Sequence, residues 1–309
     1  MRNLWRRLVP MYDEREARAV IRYVLEALYG LTTADIYAHV DAERARLGEG
    51  ASRRGRLQSR PFDLSDDLEM VMRRLEAGEP VQYVVGSTTF CGHTLSVQHG
   101  VLIPRPETEE LCRWIIDSTD CNRARPLRIL DIGTGSGCIA ITLALDIQGA
   151  DVTAWDISET ALDVAQRNAI ATGATVVFDR RNILDEPTAD EPLFDLIVSN
   201  PPYICNKERA DMHSNVTDYE PHEALFVPDD DPLLFYRAIA RYARCALCPG
   251  GRLYLEVNPL TVAPLCTMLP DVGFDDIEQR NDSFGRQRFI RCCRGPEPCT
   301  LNTAVPCAR

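Results

Sequence analysis

Apolar side chains in the first part of the chain recur at the spacing of helices. Over residues 14–29 they return every three or four positions, which gathers them into one stripe along a helix. The stripe consists of Ala17, Val20, Ile21, Val24, Leu25 and Leu28. This pattern predicts an amphipathic helix with one buried face.

Two further helices are predicted in this part of the chain. Thr33 can cap one of them, and Ser65 can cap another whose apolar face ends at Leu75. Residues 48–63 are rich in Gly, Ser and Arg and are predicted to form a loop. We therefore expect a small all-α N-terminal domain of three or four helices over residues 1–78.

The pattern then changes to β-forming residues. Apolar and β-branched side chains continue as far as Ile103, and glycines interrupt them at Gly86, Gly92 and Gly100. The β-forming residues are Val81, Tyr83, Val84, Thr88, Phe90, Leu95, Val97, Val101 and Ile103. We predict a β-hairpin linker over residues 79–104.

From Pro104 onward, predicted strands alternate with predicted helices. The strands lie at residues 128–131, 152–156, 176–178, 195–199 and 252–257. The helices lie between them, at about residues 136–148, 158–172 and 231–247. Such alternation is typical of a doubly wound α/β sheet that is mostly parallel and carries helices on both faces.

Two more strands are predicted near residues 276–279 and 288–292. The link between them, residues 281–287, is shorter than a parallel crossover needs, so the last strand should run antiparallel. The predicted fold class is thus a Rossmann-like, seven-stranded α/β domain over residues 105–294. The Pro-rich tail over residues 295–309 is predicted to be disordered.

Composition and charge narrow the range of functions. The 309 residues are 45% hydrophobic and 26% charged, which is ordinary for a globular protein. No run of about 18 apolar residues occurs, so we expect no membrane span and a cytoplasmic protein. The net charge of -12 argues against sequence-independent binding of duplex nucleic acid. We expect a monomer that makes no sequence-specific contact with nucleic acid.

The twelve cysteines are interpreted mainly as packing residues. Cys138 falls in a predicted helix and Cys292 in a predicted strand, where free cysteine packs as a small hydrophobic side chain. Cys245 and Cys248 have the spacing of metal ligands, but no second Cys pair or His pair accompanies them. We therefore predict no metal site.

A glycine-rich turn links the strand over residues 128–131 to the helix that follows. The turn consists of Gly133, Thr134, Gly135, Ser136 and Gly137. Glycines allow a sharp turn and a close approach of a ligand, and the helix N-terminus adds free amides. Asp156, nineteen residues after Gly137 at the end of the next strand, can accept both hydroxyls of a ribose.

These two features predict a nucleoside-binding site. NAD and S-adenosylmethionine are bound by the same geometry. Cys138 stands where the NAD-binding pattern G-x-G-x-x-G has its third glycine. This difference favours S-adenosylmethionine without excluding NAD.

A second motif directly follows the strand over residues 195–199. It consists of Asn200, Pro201, Pro202 and Tyr203. The carboxyl ends of strands are where open α/β sheets hold ligands. The prolines remove two amide donors, so the turn presents a carboxamide, carbonyl oxygens and an aromatic ring.

This set of groups suits methylation of a planar amide or amine nitrogen. The side-chain oxygen of Asn200 and the carbonyl of Pro201 can each accept one N–H and hold the nitrogen in line with the methyl donor. Tyr203 can stack on the flat acceptor and stabilise the positive charge that develops. We predict Asn200, Pro201 and Tyr203 as catalytic residues, and Asn200 to Tyr203, including Pro202, as the substrate site.

With these motifs, the chain resembles the PrmC/HemK family of protein-glutamine methyltransferases over about residues 10–294. Besides the glycine turn, the motifs that carry the resemblance are Gly78-Glu79-Pro80-Val81-Gln82-Tyr83 with Gly86, Leu102-Ile103-Pro104-Arg105-Pro106-Glu107-Thr108-Glu109, Asn200-Pro201-Pro202-Tyr203-Ile204, Tyr219-Glu220-Pro221, Asp282 and Gly285. The resemblance implies a class I methyltransferase fold with S-adenosylmethionine as cofactor. It also implies methylation of N5 of the GGQ-motif glutamine in peptide chain release factors, a modification that acts in translation termination, with residues 1–78 recognising the substrate.

The resemblance also assigns roles to individual residues. It implies that the five residues of the glycine turn bind the cofactor together with Asp156, and that Asn200 borders both cofactor and substrate. The adenine-contacting residue of the family follows the third strand and corresponds here to Ile183. This chain departs from the family at Asp231-Pro232, where Asp-Gly is usual, and in its tail after Gly295.

Alternative functions stay open on the sequence alone. Asn-Pro-Pro-Tyr also occurs in adenine-N6 methyltransferases of nucleic acids and in glutamine methyltransferases that act on ribosomal protein uL3. A non-catalytic S-adenosylmethionine-binding protein is a third possibility. Two local roles are open as well. Arg105 either shapes the cofactor pocket or pairs with Glu107, and Glu220 either faces the release factor or caps the helix after Pro221.

Overall fold

The computed structural model describes residues 4–31, 34, 65–120, 125–187 and 192–295. The chain divides into two compact units. The first comprises the chain up to Gly86 together with Ser214–Tyr219, and the second comprises Ser87–His213 and the chain from Glu220 onward.

Several predicted segments lie outside the described residues. They are the helix capped by Thr33, the loop over residues 48–63 and residues 296–309 of the tail.

Helices form the described part of the N-terminal unit. They are α1 (Leu4–Leu8), α2 (Glu14–Tyr29), α3 (Ser65–Glu76) and α4 (Val81–Val85), with α8 (Ser214–Thr217) in the returning segment. α2 begins after Asp13, whose carboxylate accepts the N–H of Glu16 at 2.8 Å. The predicted stripe of α2 packs against Leu68, Met72 and neighbouring residues of α3. Leu28 was wrongly predicted as part of this stripe, since its side chain is 39% exposed.

The hairpin is shorter than the predicted linker. It consists of β1 (Ser87–Phe90) and β2 (His93–Ser96), joined by a two-residue turn in which Cys91 and Gly92 both have positive φ. The prediction of β structure at Val81 to Val84 is wrong, because these residues form α4. Val84 is buried in the core of the N-terminal unit, and this packing overrides the β propensity of valine.

A seven-stranded sheet forms the centre of the second unit. Its strands are β3 (Leu127–Ile132), β4 (Ala150–Asp156), β5 (Val176–Arg180), β6 (Phe194–Ser199), β9 (Leu247–Glu256), β10 (Phe274–Asn281) and β11 (Gln287–Arg294). Their order is β10-β11-β9-β6-β3-β4-β5. β11 runs antiparallel to both of its neighbours, whereas the other adjacent pairs are parallel. The predicted fold class is confirmed.

Helices cover both faces of this sheet. They are α5 (Pro106–Asp117), α6 (Cys138–Asp146), α7 (Glu159–Thr172), α10 (Leu234–Ala246) and α11 (Val262–Asp271); the short elements are β7 (Ile204–Cys205), α9 (His222–Leu225) and β8 (Phe226–Val227). Successive strand residues point to opposite faces, so Leu196 and Val198 pack with α5 and α6 while Ile197 packs with α10 and α11. Helices α5 and α11 were not predicted.

The cysteines of the described ranges are all free thiols. Cys138 and Cys292 are buried in the two hydrophobic clusters on either face of the sheet, as predicted. None of the helices in the described part of the chain has the length and apolarity that crossing a membrane requires.

Candidate active site

The glycine turn lies directly after β3, at the carboxyl edge of the sheet. The backbone amides of Gly133 and Thr134 donate to the carbonyl of Trp155 at 2.8 and 2.9 Å, which holds the turn against the end of β4. Gly133, Gly135 and Gly137 have φ values of 75°, 56° and 82°, which only glycine adopts readily. Open space surrounds the Cα atoms of Gly133 and Gly135, with no atom within 4 Å of an added Cβ.

Asp131, in the strand that precedes the glycine turn, stabilises the turn through hydrogen bonds. Its Oδ2 accepts the hydroxyl of Thr134 at 2.7 Å and the N–H of Ala140 at 3.2 Å. The side chain is fully buried, and this burial raises the pKa of Asp131 to about 7. Asp131 was not predicted as a site residue. The only sequence signal was an acidic residue at the end of an apolar strand.

Asp156 stands beside the turn, as the spacing in the sequence predicted. Its Oδ2 accepts the N–H of Gly135 at 2.8 Å, and its Oδ1 accepts the N–H of Ser158 at 2.9 Å. A carboxylate has about four acceptor positions, so these backbone contacts do not use all of them. Burial raises the pKa of Asp156, and the backbone hydrogen bonds oppose that rise.

The segment after β5 borders the same edge. Ile183 is half-buried and packs against the hydrophobic cluster of α10 and α11, while Leu184 is 44% exposed. The guanidinium of Arg181 lies 4.0 Å from the centre of the Trp155 ring.

The acceptor motif meets the glycine turn because β3 and β6 are adjacent. Ile132 pairs with Ser199 across the two strands, and the Ser199 hydroxyl donates to the Ile132 carbonyl at 2.7 Å. Asn200 and Gly133 therefore leave the sheet side by side. Ile132 and Ser199 are 67 positions apart in the chain, yet the motifs that follow them meet at one edge of the sheet.

The side chain of Asn200 is held by a buried network. Its Nδ2 donates to the hydroxyl of Thr108 at 3.2 Å, and that hydroxyl donates to Oε2 of Glu256 at 2.7 Å. The hydroxyl of Tyr203 donates to Oε1 of the same carboxylate at 3.0 Å. Asn258 donates to the Tyr203 carbonyl at 3.1 Å. Burial raises the pKa of the Tyr203 phenol well above its ordinary value.

Known proteins resemble this chain over most of its length. The model of the methyltransferase small domain family matches residues 118–218. The release factor glutamine methyltransferase of Bacteroides thetaiotaomicron is 44% identical over 287 residues, which cover 93% of this chain and 96% of that protein. The protein of the same name from Flavobacterium psychrophilum is 39% identical over 285 residues, covering 92% and 94% of the two chains.

The chain belongs to the release factor glutamine methyltransferases. The resemblance drawn from its motifs is thereby confirmed. The solved structure of the hMettl16 catalytic domain is 17% identical, with a TM-score of 0.52, and covers 75% of this chain and 84% of that one. At this identity the likeness shows the fold alone, which is that of a class I methyltransferase.

The family motif around Glu220 has a structural role. Glu220 is buried, and its carboxylate accepts the guanidinium of Arg105 at 2.5 Å and the N–H of Ile103 at 3.1 Å. Arg105 thus pairs with Glu220 rather than with Glu107. Of the two alternatives left open for Glu220, capping does not occur, because no side-chain hydrogen bond caps the helix after Pro221. The motif anchors the segment that leads into α5.

Asp282 shapes the turn between β10 and β11. Its Oδ1 accepts the amides of Phe284 and Arg286 at 3.0 and 2.9 Å, and its Oδ2 accepts the Arg288 guanidinium at 3.3 Å. Gly285 in this turn has a φ of 82°. These two family residues are therefore explained by a local turn.

Sequence reasoning predicted the two loops of the candidate site, the glycine turn and the Asn200–Tyr203 motif, but not the side chains that support the second loop. Thr108 was quoted only as part of a motif, and Glu256 and Asn258 were not singled out. The signal for Glu256 was a carboxylate at the end of the apolar strand β9. Nothing in the sequence pairs it with Thr108, which lies 148 residues away.

Proposed function

We propose that this protein transfers the methyl group of S-adenosylmethionine to N5 of the GGQ-motif glutamine in a peptide chain release factor. Such a modification would act in translation termination. The observation that supports this function most directly is the pairing of Ile132 with Ser199, after which Gly133 and Asn200 lie side by side. A methyl donor on the glycine turn would meet an amide held by Asn200.

The proposed cofactor site fits the groups at the carboxyl edge. Its residues are Gly133, Thr134, Gly135, Ser136, Gly137, Asp156, Ile183 and Asn200. The open space at Gly133 and Gly135 leaves room for a ligand to approach the main chain. The free acceptor positions of Asp156 suit the two ribose hydroxyls. Ser136 is buried in the same turn, where its side chain interacts with Cys138.

The proposed chemistry depends on orientation rather than on a strong base. S-adenosylmethionine supplies an electrophilic methyl group on a positively charged sulfur. The side-chain oxygen of Asn200 and the carbonyl of Pro201 accept the two N–H groups of the glutamine amide, so its nitrogen is fixed in line for attack. As the methyl–sulfur bond broke and the methyl–nitrogen bond formed, these acceptors would stabilise the positive charge developing on the nitrogen. The sulfur would leave as the neutral thioether of S-adenosylhomocysteine, and the nitrogen would release a proton to solvent. The ring of Tyr203 flanks the acceptor, and Pro202 stiffens the turn.

The proposed partner is a peptide chain release factor, and the helical region over residues 1–78 contributes to its recognition. The relatives from Bacteroides thetaiotaomicron and Flavobacterium psychrophilum carry the release factor in their names. The net charge of -12 is unfavourable for binding to nucleic acid phosphates. We propose that the enzyme acts as a monomer in the cytoplasm.

The test is a methyl-transfer assay with three acceptors. The protein is incubated with labelled S-adenosylmethionine and a bacterial release factor, ribosomal protein uL3 or DNA, and the modified residue is located by mass spectrometry. The proposal requires label on one glutamine of the release factor, and none when this glutamine is replaced by alanine. Label on adenine or on uL3 alone would contradict it.

A further inference from the structure

A buried carboxylate lies behind the acceptor motif. Glu256, at the end of β9, is 1% exposed and accepts two side-chain hydroxyls, from Thr108 on α5 and from Tyr203. Burial raises the pKa of Glu256, and the two hydroxyl donors and the charge of Arg288 on β11 oppose this rise. A carboxylate without hydrogen-bond donors would be costly at this depth, so the two hydroxyls must direct their hydrogens toward it.

The direction of these hydrogen bonds determines how the Asn200 amide is oriented. A threonine hydroxyl has one hydrogen, and that of Thr108 is used by Glu256. The oxygen of Thr108 can therefore only accept from Asn200, and its neighbour within 3.2 Å must be the NH2 group. The carboxamide oxygen of Asn200 then faces the opposite side. Because Glu256 accepts the hydroxyls of both Thr108 and Tyr203, the chain of bonds runs from Asn200 through Thr108 to Glu256.

We propose that Thr108 and Glu256 are positioning residues that fix the Asn200 carboxamide with its oxygen toward the methyl acceptor. This inference rests on the proposed function. With the reverse orientation, Asn200 would present N–H donors to the N–H groups of the glutamine amide, and neither could bond. Glu256 also holds the Tyr203 hydroxyl, so one carboxylate orients two members of the acceptor motif.

Matched substitutions at Thr108 separate hydrogen bonding from packing. Thr108→Val keeps the shape of the side chain and removes the hydroxyl, whereas Thr108→Ser keeps the hydroxyl and removes a methyl group. We expect Thr108→Val to lower the single-turnover rate on release factor by about 10- to 100-fold, and Thr108→Ser to stay within about threefold of wild type. Cofactor affinity should change by less than about threefold in both. Thr142→Val on α6, another fully buried threonine, is the control and should keep the wild-type rate.

A double-mutant cycle then distinguishes positioning from a general structural effect. If Thr108 acts through Asn200, Thr108→Val should lower the rate by less than about threefold in the Asn200→Ala background. Wild-type inactivity on release factor would overturn the proposed function and this inference with it. An active wild type with a Thr108→Val rate within threefold of it would overturn the inference alone. So would an equal loss in both backgrounds.

Discussion

The carboxylate of Asp156 accepts the backbone N–H of Gly135 at 2.8 Å, so the end of β4 is tied directly to the glycine turn after β3. The same carboxylate accepts the N–H of Ser158 at the start of α7. One side chain therefore fixes two backbone segments and still has acceptor positions for a ligand. Removal of the Asp156 carboxylate should therefore weaken cofactor binding.

We predict that Asp156→Ala weakens S-adenosylmethionine binding by at least about tenfold. Two ribose hydrogen bonds to a charged acceptor are lost, and each such bond contributes roughly 1.5–3 kcal/mol. Calorimetric titration of the folded variant measures the change. Asp163→Ala, on the exposed side of α7, is the matched control and should bind normally. Equal affinity of Asp156→Ala and wild type would remove Asp156 from the cofactor site.

Gly137 is predicted to tolerate no side chain. An added Cβ would lie 3.0 Å from Cδ1 of Ile141 and 3.1 Å from Cβ of Ala165, at a φ of +82°. Gly137→Ala should therefore lower the free energy of unfolding by about 2–4 kcal/mol, through both crowding and backbone strain. Gly149→Ala has a similar φ of +73° with open space around it, and should cost only about 1–2 kcal/mol. Urea unfolding of both variants tests the difference, and equal losses would show that crowding contributes nothing.

Asp131 should make stability depend on pH. Burial raises its pKa from 3.8 to about 7, so the folded state holds the proton more tightly than the unfolded state. The unfolded state then binds fewer protons between about pH 4 and pH 7, and the contribution of this group to stability falls as pH rises through that window. Asp131→Asn cannot ionise and should lack this fall, which amounts to at most roughly 4 kcal/mol. Unfolding free energies of the two proteins, measured across this range, should diverge; parallel curves would contradict the prediction.

Much of the fold could be predicted because the strands and helices of the sheet domain have clear hydrophobic patterns in the sequence. Strands buried on both faces appear as short apolar runs, and the regular helices between them give the parallel order. The short link before Gln287 was enough to predict the antiparallel direction of β11. The helix Val81–Val85 was missed because five residues with several valines carry no helical period, and only burial in the N-terminal core determines their structure.

The candidate site also has a part that could be predicted from the sequence and a part that could not. The glycine turn, Asp156 and the Asn200–Tyr203 motif are local patterns, and each stands at the end of a predicted strand. The support from Thr108 and Glu256 could not be predicted, because it joins α5 to the far end of β9 through side chains alone. A single sequence carries no signal for such a pair. The pairing of Arg105 with Glu220 could not be predicted for the same reason, because the two residues are 115 positions apart in the chain.

The proposed chemistry depends most directly on the side chain of Asn200. Asn200→Ala removes the oxygen that orients the glutamine amide, and the adjacent prolines supply only main-chain carbonyls. Loss of one preorganised contact of this kind typically lowers the rate by about 10²–10³. Because the contact strengthens as charge develops on the nitrogen, the loss should fall mainly on turnover.

The decisive measurement is single-turnover methylation of release factor at saturating S-adenosylmethionine, with wild-type enzyme and Asn200→Ala compared directly. Cofactor affinity of the variant is measured in parallel, so that saturation is assured. We expect the rate of Asn200→Ala to be about 10²–10³ lower than that of wild type. A rate within about threefold of wild type would contradict the role of Asn200 and leave the Pro201 carbonyl and Tyr203 as sufficient for the reaction.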